Sequence, residues 1–102
     1  MKLEWKYNDK LCTLITVDYK EKSVIIHNFT DKIIEKAFGV NNNPDFDDFL
    51  YLLERRCFPK EADGMRLRLS QIGVDHYDPL NIIAKTNGKM AEDHFTLTII
   101  EE

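Results

Sequence analysis

The chain has 102 residues, 43% hydrophobic and 31% charged, which describes one ordinary globular domain over residues 1–102 with length enough for a single real core. Its 18 acids against 14 bases leave a net charge of −4, the wrong sign for the dominant positive field that non-specific nucleic-acid binding needs. The opening MKLEWKYNDKLC holds no long apolar run, so neither a signal peptide nor a membrane span is expected and the reading is cytoplasmic.

KLEWKY alternates, with Leu3, Trp5 and Tyr7 on one side and Lys2, Glu4 and Lys6 on the other, the period of a half-buried strand. Asn8-Asp9 supplies a turn, KLCTLITVD continues as a second strand, and a turn around DYKEK leads into SVIIHNF, so the first third reads as an antiparallel meander. The period then changes. Thr30 is a good N-cap, Phe29 can staple onto Ile34, and Ile33, Ile34, Ala37 and Phe38 form a short apolar stripe ended by Gly39, which predicts a helix. A second helix is expected with Asn43 as cap, Pro44 at its first position and Asp45, Asp47 and Asp48 at its positive end. Its predicted buried face is Phe46, Phe49, Leu50, Leu53 and Cys57, with Arg55 and Arg56 in the last turn and Pro59 as the stop.

A third helix is expected from Gly64 to Ile72, with Met65, Leu69 and Ile72 inward, and a fourth opens at Asp78-Pro79, carries Leu80, Ile82 and Ile83, and closes at Asn87-Gly88. HFTLTII alternates again as a strand, with Phe95, Leu97 and Ile99 on one side. Strands at both ends with about four helices between them give an α+β domain. Its antiparallel sheet joins the three N-terminal strands to the C-terminal one.

The stretch LERRCFPKEADGMRLRLSQIG is the richest in reactive side chains. Cys57 falls on an apolar helix face near a helix C-terminus, where the local potential raises a thiol pKa, so it reads as a buried small hydrophobe rather than a nucleophile. Cys12 reads the same way within a strand; the two cysteines match no metal or redox spacing and are expected as free thiols. VDHYDP and AEDHF set carboxylates beside His76 and His94, but no HxxxH or HExxH spacing accompanies them, so no metal and no cofactor is expected. No phosphate-binding glycine loop or nucleophile elbow is present.

Arg55, Arg56, Arg66 and Arg68 form the candidate partner-binding set, open to a protein surface or to guide-RNA contact, with Lys60 nearby and acids such as Glu54, Glu61 and Asp63 interleaved. Asp63 is expected to cap the following helix or to pair with Arg56. A helix-turn-helix reading of Met65–Gly88 fails on its recognition helix, which opens on Asp78, Pro79 and Leu80 with Lys85 its lone base.

From Asn28 to Phe95 the chain resembles a group of small Firmicutes proteins often carried on mobile elements. The residues that carry the likeness are Arg56-Cys57-Phe58-Pro59, Asp63, Tyr77-Asp78-Pro79, Thr86, Gly88 and Met90-Ala91-Glu92-Asp93. Some small proteins of this kind are anti-CRISPR inhibitors. The resemblance therefore implies a non-enzymatic protein that binds the type II CRISPR effector nuclease and blocks guide-RNA loading or target-DNA binding. The alternative is an accessory or toxin–antitoxin component that binds a host protein. An unrecognised nucleic-acid-processing enzyme is a third reading.

Overall fold

A computed structural model describes residues 1–58 and 63–102. Strands β1 (Lys2–Tyr7), β2 (Lys10–Asp18) and β3 (Ser23–Asn28) come first, then a 3-10 turn at Ile33–Glu35. Helices α1 (Phe46–Arg55), α2 (Met65–Gln71) and α3 (Pro79–Thr86) follow, and strand β4 (Phe95–Glu101) closes the chain. The sheet has the order β3-β2-β1-β4 and every neighbouring pair is antiparallel. The expected α+β architecture is the one that forms, with three α-helices and one 3-10 turn where about four helices were expected.

Local chemistry accounts for the meander. Asn8 and Asp9 both take left-handed backbone (φ 47° and 67°), the conformation a two-residue hairpin turn with the sheet's own twist requires and Asn and Asp tolerate. At the next turn the Asp18 carboxylate accepts the backbone N–H groups of Lys20 and Glu21 at 3.0 and 3.1 Å. Alternation then places Leu3 and Trp5 of β1, Ile15 and Val17 of β2 and Leu97 of β4 on one buried face, where the helices contribute Phe49, Leu52, Leu53, Leu69, Ile82 and Ile83 to the same core. The other face carries Ile25, His27 and Ile100, all exposed.

Helix α3 begins and ends where the sequence places it: Asp78 accepts the Leu80 N–H at 3.1 Å, Pro79 follows, and Asn87 turns left-handed at the end. Gly88 cannot be replaced cheaply. It has φ +61°, and a Cβ there would sit 2.9 Å from the Leu97 Cβ, so the α3–β4 joint closes only over a hydrogen.

Three expectations are corrected. The helix predicted from Thr30 to Gly39 is a single 3-10 turn: Thr30 Oγ1 accepts the Lys32 N–H at 3.2 Å, and Phe29 and Ile34, expected to staple, are 54% and 85% exposed. Long-range bonds hold this backbone instead, with the Trp5 indole N–H donating to Glu35 O at 3.0 Å and the Ala37 N–H to Thr13 Oγ1 at 3.1 Å.

Helix α1 is capped by Asp45, not Asn43, in a reciprocal capping box with Asp48. Its buried face turns by about one position: Leu52 is buried, whereas Leu50 is 36% exposed, because Arg56 occupies the inward face. Asp63, finally, is neither the cap of α2, which starts at Gly64 without a side-chain cap, nor the partner of Arg56, which takes Asp93 instead. The helix stop expected at Pro59, with Lys60 and Glu61 of the charged stretch, lies outside the described residues.

Candidate interaction surface

The four arginines do not make one patch. Arg66 and Arg68 stand two positions apart on α2, about 200° around its axis, so they point to different sides. Arg68 lies over the Phe58 ring at 5.7 Å, while Arg66 lines an open cleft with Ser70, Gly73, Val74 and Asp75. Arg55 is exposed and covers the Tyr51 ring at 5.3 Å.

Arg56 is only 6% exposed, and its guanidinium makes four hydrogen bonds within the fold. Nε donates to Gly88 O at 2.9 Å, Nη1 to Asp93 Oδ2 at 2.8 Å, and Nη2 to Asp93 Oδ1 at 3.1 Å and Phe95 O at 3.0 Å. Its Cζ stands 5.1 Å from the centre of the Trp5 ring. The pairing is the fork-on-carboxylate geometry that lysine cannot reproduce. These hydrogen bonds from Arg56 hold the Asp93 carboxyl below the ordinary range. Several of the residues that carry the sequence resemblance meet around this knot: Gly88 and Asp93 accept from Arg56, and Phe58, Thr86 and Met90 line a recess beside it. Thr86 Oγ1 donates to Ile82 O and accepts the Gly88 N–H, and the Tyr77 hydroxyl donates to Phe58 O at 3.0 Å. That motif ties the end of α1 to the α3–β4 joint.

Cys57 beside it is 4% exposed and its Sγ donates to Leu53 O at 3.3 Å. Burial first, then Asp78 and Glu54, push its thiol up to about 11, which leaves almost no thiolate at neutral pH. The histidines are scattered: His27 lies tilted against Phe29 at 4.4 Å and His94 meets the edge of Tyr7 at 6.4 Å. Among the described residues no group of three or more His, Cys, Asp or Glu side chains could hold a metal ion.

The most unusual surface is the one around the 3-10 turn. Glu35 is 6% exposed, and its Oε1 accepts from Lys10 Nζ at 2.6 Å and Thr30 Oγ1 at 2.9 Å. The Lys10 hydrogen bond above all, then that of Thr30, holds its carboxyl below the usual range. With the acid turned inward, the two isoleucines before it turn outward, Ile33 at 52% and Ile34 at 85% exposed, while Ala37 after it stays in the core; Val40 beyond is again 76% exposed. Ile34 shares a shallow recess with Trp5, Arg55, Arg56, Asp93 and Phe95, which brings it beside the Arg55–Tyr51 pair. Lys32 and Lys36 flank the isoleucines in sequence.

Single exposed apolar side chains are ordinary, but a run of them held out by buried polar bonds and set beside Tyr and Arg has the composition of a protein-binding hot spot. Sequence periodicity missed this surface because it assigned Ile33 and Ile34 to the core. The available signal was Glu35: the stripe could face inward only if its acid faced out, away from Lys10 and Thr30.

No protein-family model, no curated protein and no solved structure matches the chain. No helix among the described residues is long and apolar enough to cross a membrane.

Proposed function

We propose that this protein acts by binding another protein, as a non-enzymatic inhibitor of the type II CRISPR effector nuclease, through the surface formed by Ile33, Ile34, Tyr51 and Arg55. The observation that carries the binding role is the inversion at Glu35, which keeps two isoleucines in water at the cost of burying a carboxylate. The choice of target rests on the sequence resemblance. The mixed character of the surface, apolar at its centre and cationic at Lys32, Lys36 and Arg55, fits a protein patch with acidic rim groups better than a phosphate backbone. Bound there, the protein hinders assembly of the nuclease with its guide RNA. Arg55 is the one member of the arginine set on this face; Arg56 serves it from below by fixing Trp5 and Asp93 beneath the recess.

The test is affinity for the guide-free nuclease and for the guide-loaded complex, at low and at physiological salt. The expected result is binding to the guide-free form that weakens only modestly with salt, and at least a tenfold loss for Ile34→Asp with unchanged circular dichroism. Binding confined to the loaded complex, or a steep salt dependence, removes the mechanism. Absence of binding to both forms removes the nuclease as target and leaves the mobile-element accessory reading.

A further inference from the structure

The two edges of the sheet are finished differently. At the β4 edge the outward Leu97 N–H donates to Asn87 O at 2.8 Å, the outward Phe95 carbonyl accepts from Arg56 at 3.0 Å, and the strand runs out in Glu101-Glu102. Among the described residues no hydrogen bond of this kind guards β3. Its sequence SVIIHN carries no Lys, Arg, Asp, Glu or Pro, and its register against β2 runs without a bulge from Asn28↔Thr13 to Ser23↔Asp18. Charges, prolines and bulges are the usual means of keeping an edge from pairing.

The ladder identifies which β3 groups face outward. The Phe29 N–H donates to Cys12 O at 2.8 Å, so Phe29 and Cys12 are a hydrogen-bonded pair. Such pairs alternate along an antiparallel ladder, which makes His27–Leu14, Ile25–Thr16 and Ser23–Asp18 the next ones. The N–H and C=O groups of Val24, Ile26 and Asn28 therefore point away from β2, and among the described residues no hydrogen bond reaches them. On the open face of the same strand Ile25 is 70% and Phe29 54% exposed, with exposed His27 between them.

We infer that β3 is a dimerisation edge whose occupant is β3 of a second copy of this chain, paired antiparallel about a twofold axis at Ile26. The strand is self-complementary in that register. Val24 meets Asn28, Ile26 meets Ile26 and Ile25 meets His27 of the other copy, so no two ionised side chains oppose each other. Each outward N–H and C=O of Val24, Ile26 and Asn28 finds a partner, and the two four-stranded sheets become one. An isologous pairing of this kind closes on itself and does not propagate into fibres. It stands apart from the surface at Ile34, so either can fail without the other.

The experiment is sedimentation of the full chain across concentration, joined to residue-resolved amide exchange. The expected mass rises from the monomer's 12.0 kDa to twice that value. The Val24, Ile26 and Asn28 amides become at least tenfold more protected in the concentrated sample, whereas those of Ile25 and His27 are protected in both. Ile25→Lys, which adds a charge to the face and leaves the inward bonds in place, holds the protein monomeric with unchanged circular dichroism. A monomer at every concentration up to about 1 mM overturns the inference. So does a dimer whose Val24 and Ile26 amides exchange as fast as in dilute solution, an outcome read on the unmodified chain.

Discussion

Two buried charges do opposite work in this molecule. Arg56 pulls elements together: one guanidinium ties the end of α1 to Gly88, Asp93 and Phe95, and the side chains around it are inside. Glu35 is held just as firmly, by Lys10, Thr30 and a bond from Trp5 to its carbonyl, yet Ile33 and Ile34 just before it are outside. A buried ion pair at a joint is a packing device. A buried acid that props two isoleucines into water stabilises nothing by their exposure, and that difference separates the scaffold of this fold from the surface proposed to bind a partner.

The contrast breaks first at Arg56. Arg56→Met keeps the bulk but strips Gly88 O and Phe95 O of their donor, while Asp93, 34% exposed, is partly re-solvated, so the lost hydrogen bonds should cost about 2 kcal/mol. The denaturation midpoint should fall sharply with no change in slope. A loss under about 1 kcal/mol would show that the knot is peripheral. Glu35→Gln should do less to global stability and more to the surface. The side-chain shape survives, the Lys10 bridge does not, and amide exchange at Glu35, Lys36 and Ala37 should quicken while α3 stays protected. Partner affinity should drop alongside. Equal global losses for the two variants would erase the distinction between joint and prop.

The same two residues mark where sequence reading succeeds and where it stops. Strands β1, β2 and β4 and helix α3 announce themselves locally, through period-two alternation, Asn8-Asp9, and the Asp78-Pro79 start with its Asn87-Gly88 end. Their buried faces are apolar and their caps adjacent. Helix α1 is legible in position, but not in rotation, because a hydrophobic pattern has no place for a charge on the inner face. Arg56 is excused from water by an Asp 37 positions away. The segment after β3 fails for the same reason at longer range: its Ile33/Ile34/Ala37/Phe38 spacing satisfies a helix pattern, but Trp5, Lys10 and Thr13 decide its backbone and its burial. Of the arginine set, composition located a charged region; which arginine is free and which is structural depended on partners that neighbouring sequence does not reveal.

Acid titration yields the smallest effect and the finest separation. Glu35 and Asp93 both have folded pKa values below their ordinary ones of 4.5 and 3.8, each through the hydrogen bond from its cationic partner first. A carboxyl with a depressed folded pKa binds fewer protons folded than unfolded. Its contribution is complete above the ordinary value and is lost as pH falls through the lower, folded one. Wild-type stability should therefore begin to fall as pH drops below about 5 and go on falling through the lower folded values, only modestly at Asp93, whose side chain is 34% exposed and screened by solvent. Arg56→Met should flatten the Asp93 part of that fall and Glu35→Gln the Glu35 part. The two should not simply add. Trp5 donates its indole N–H to Glu35 O and lies beneath the Arg56 guanidinium, so loosening either partner frees the ring that the other uses. A double-mutant cycle on the acid limb measures that coupling: a non-zero term is expected, and strict additivity would mean that joint and prop are mechanically separate despite sharing one tryptophan.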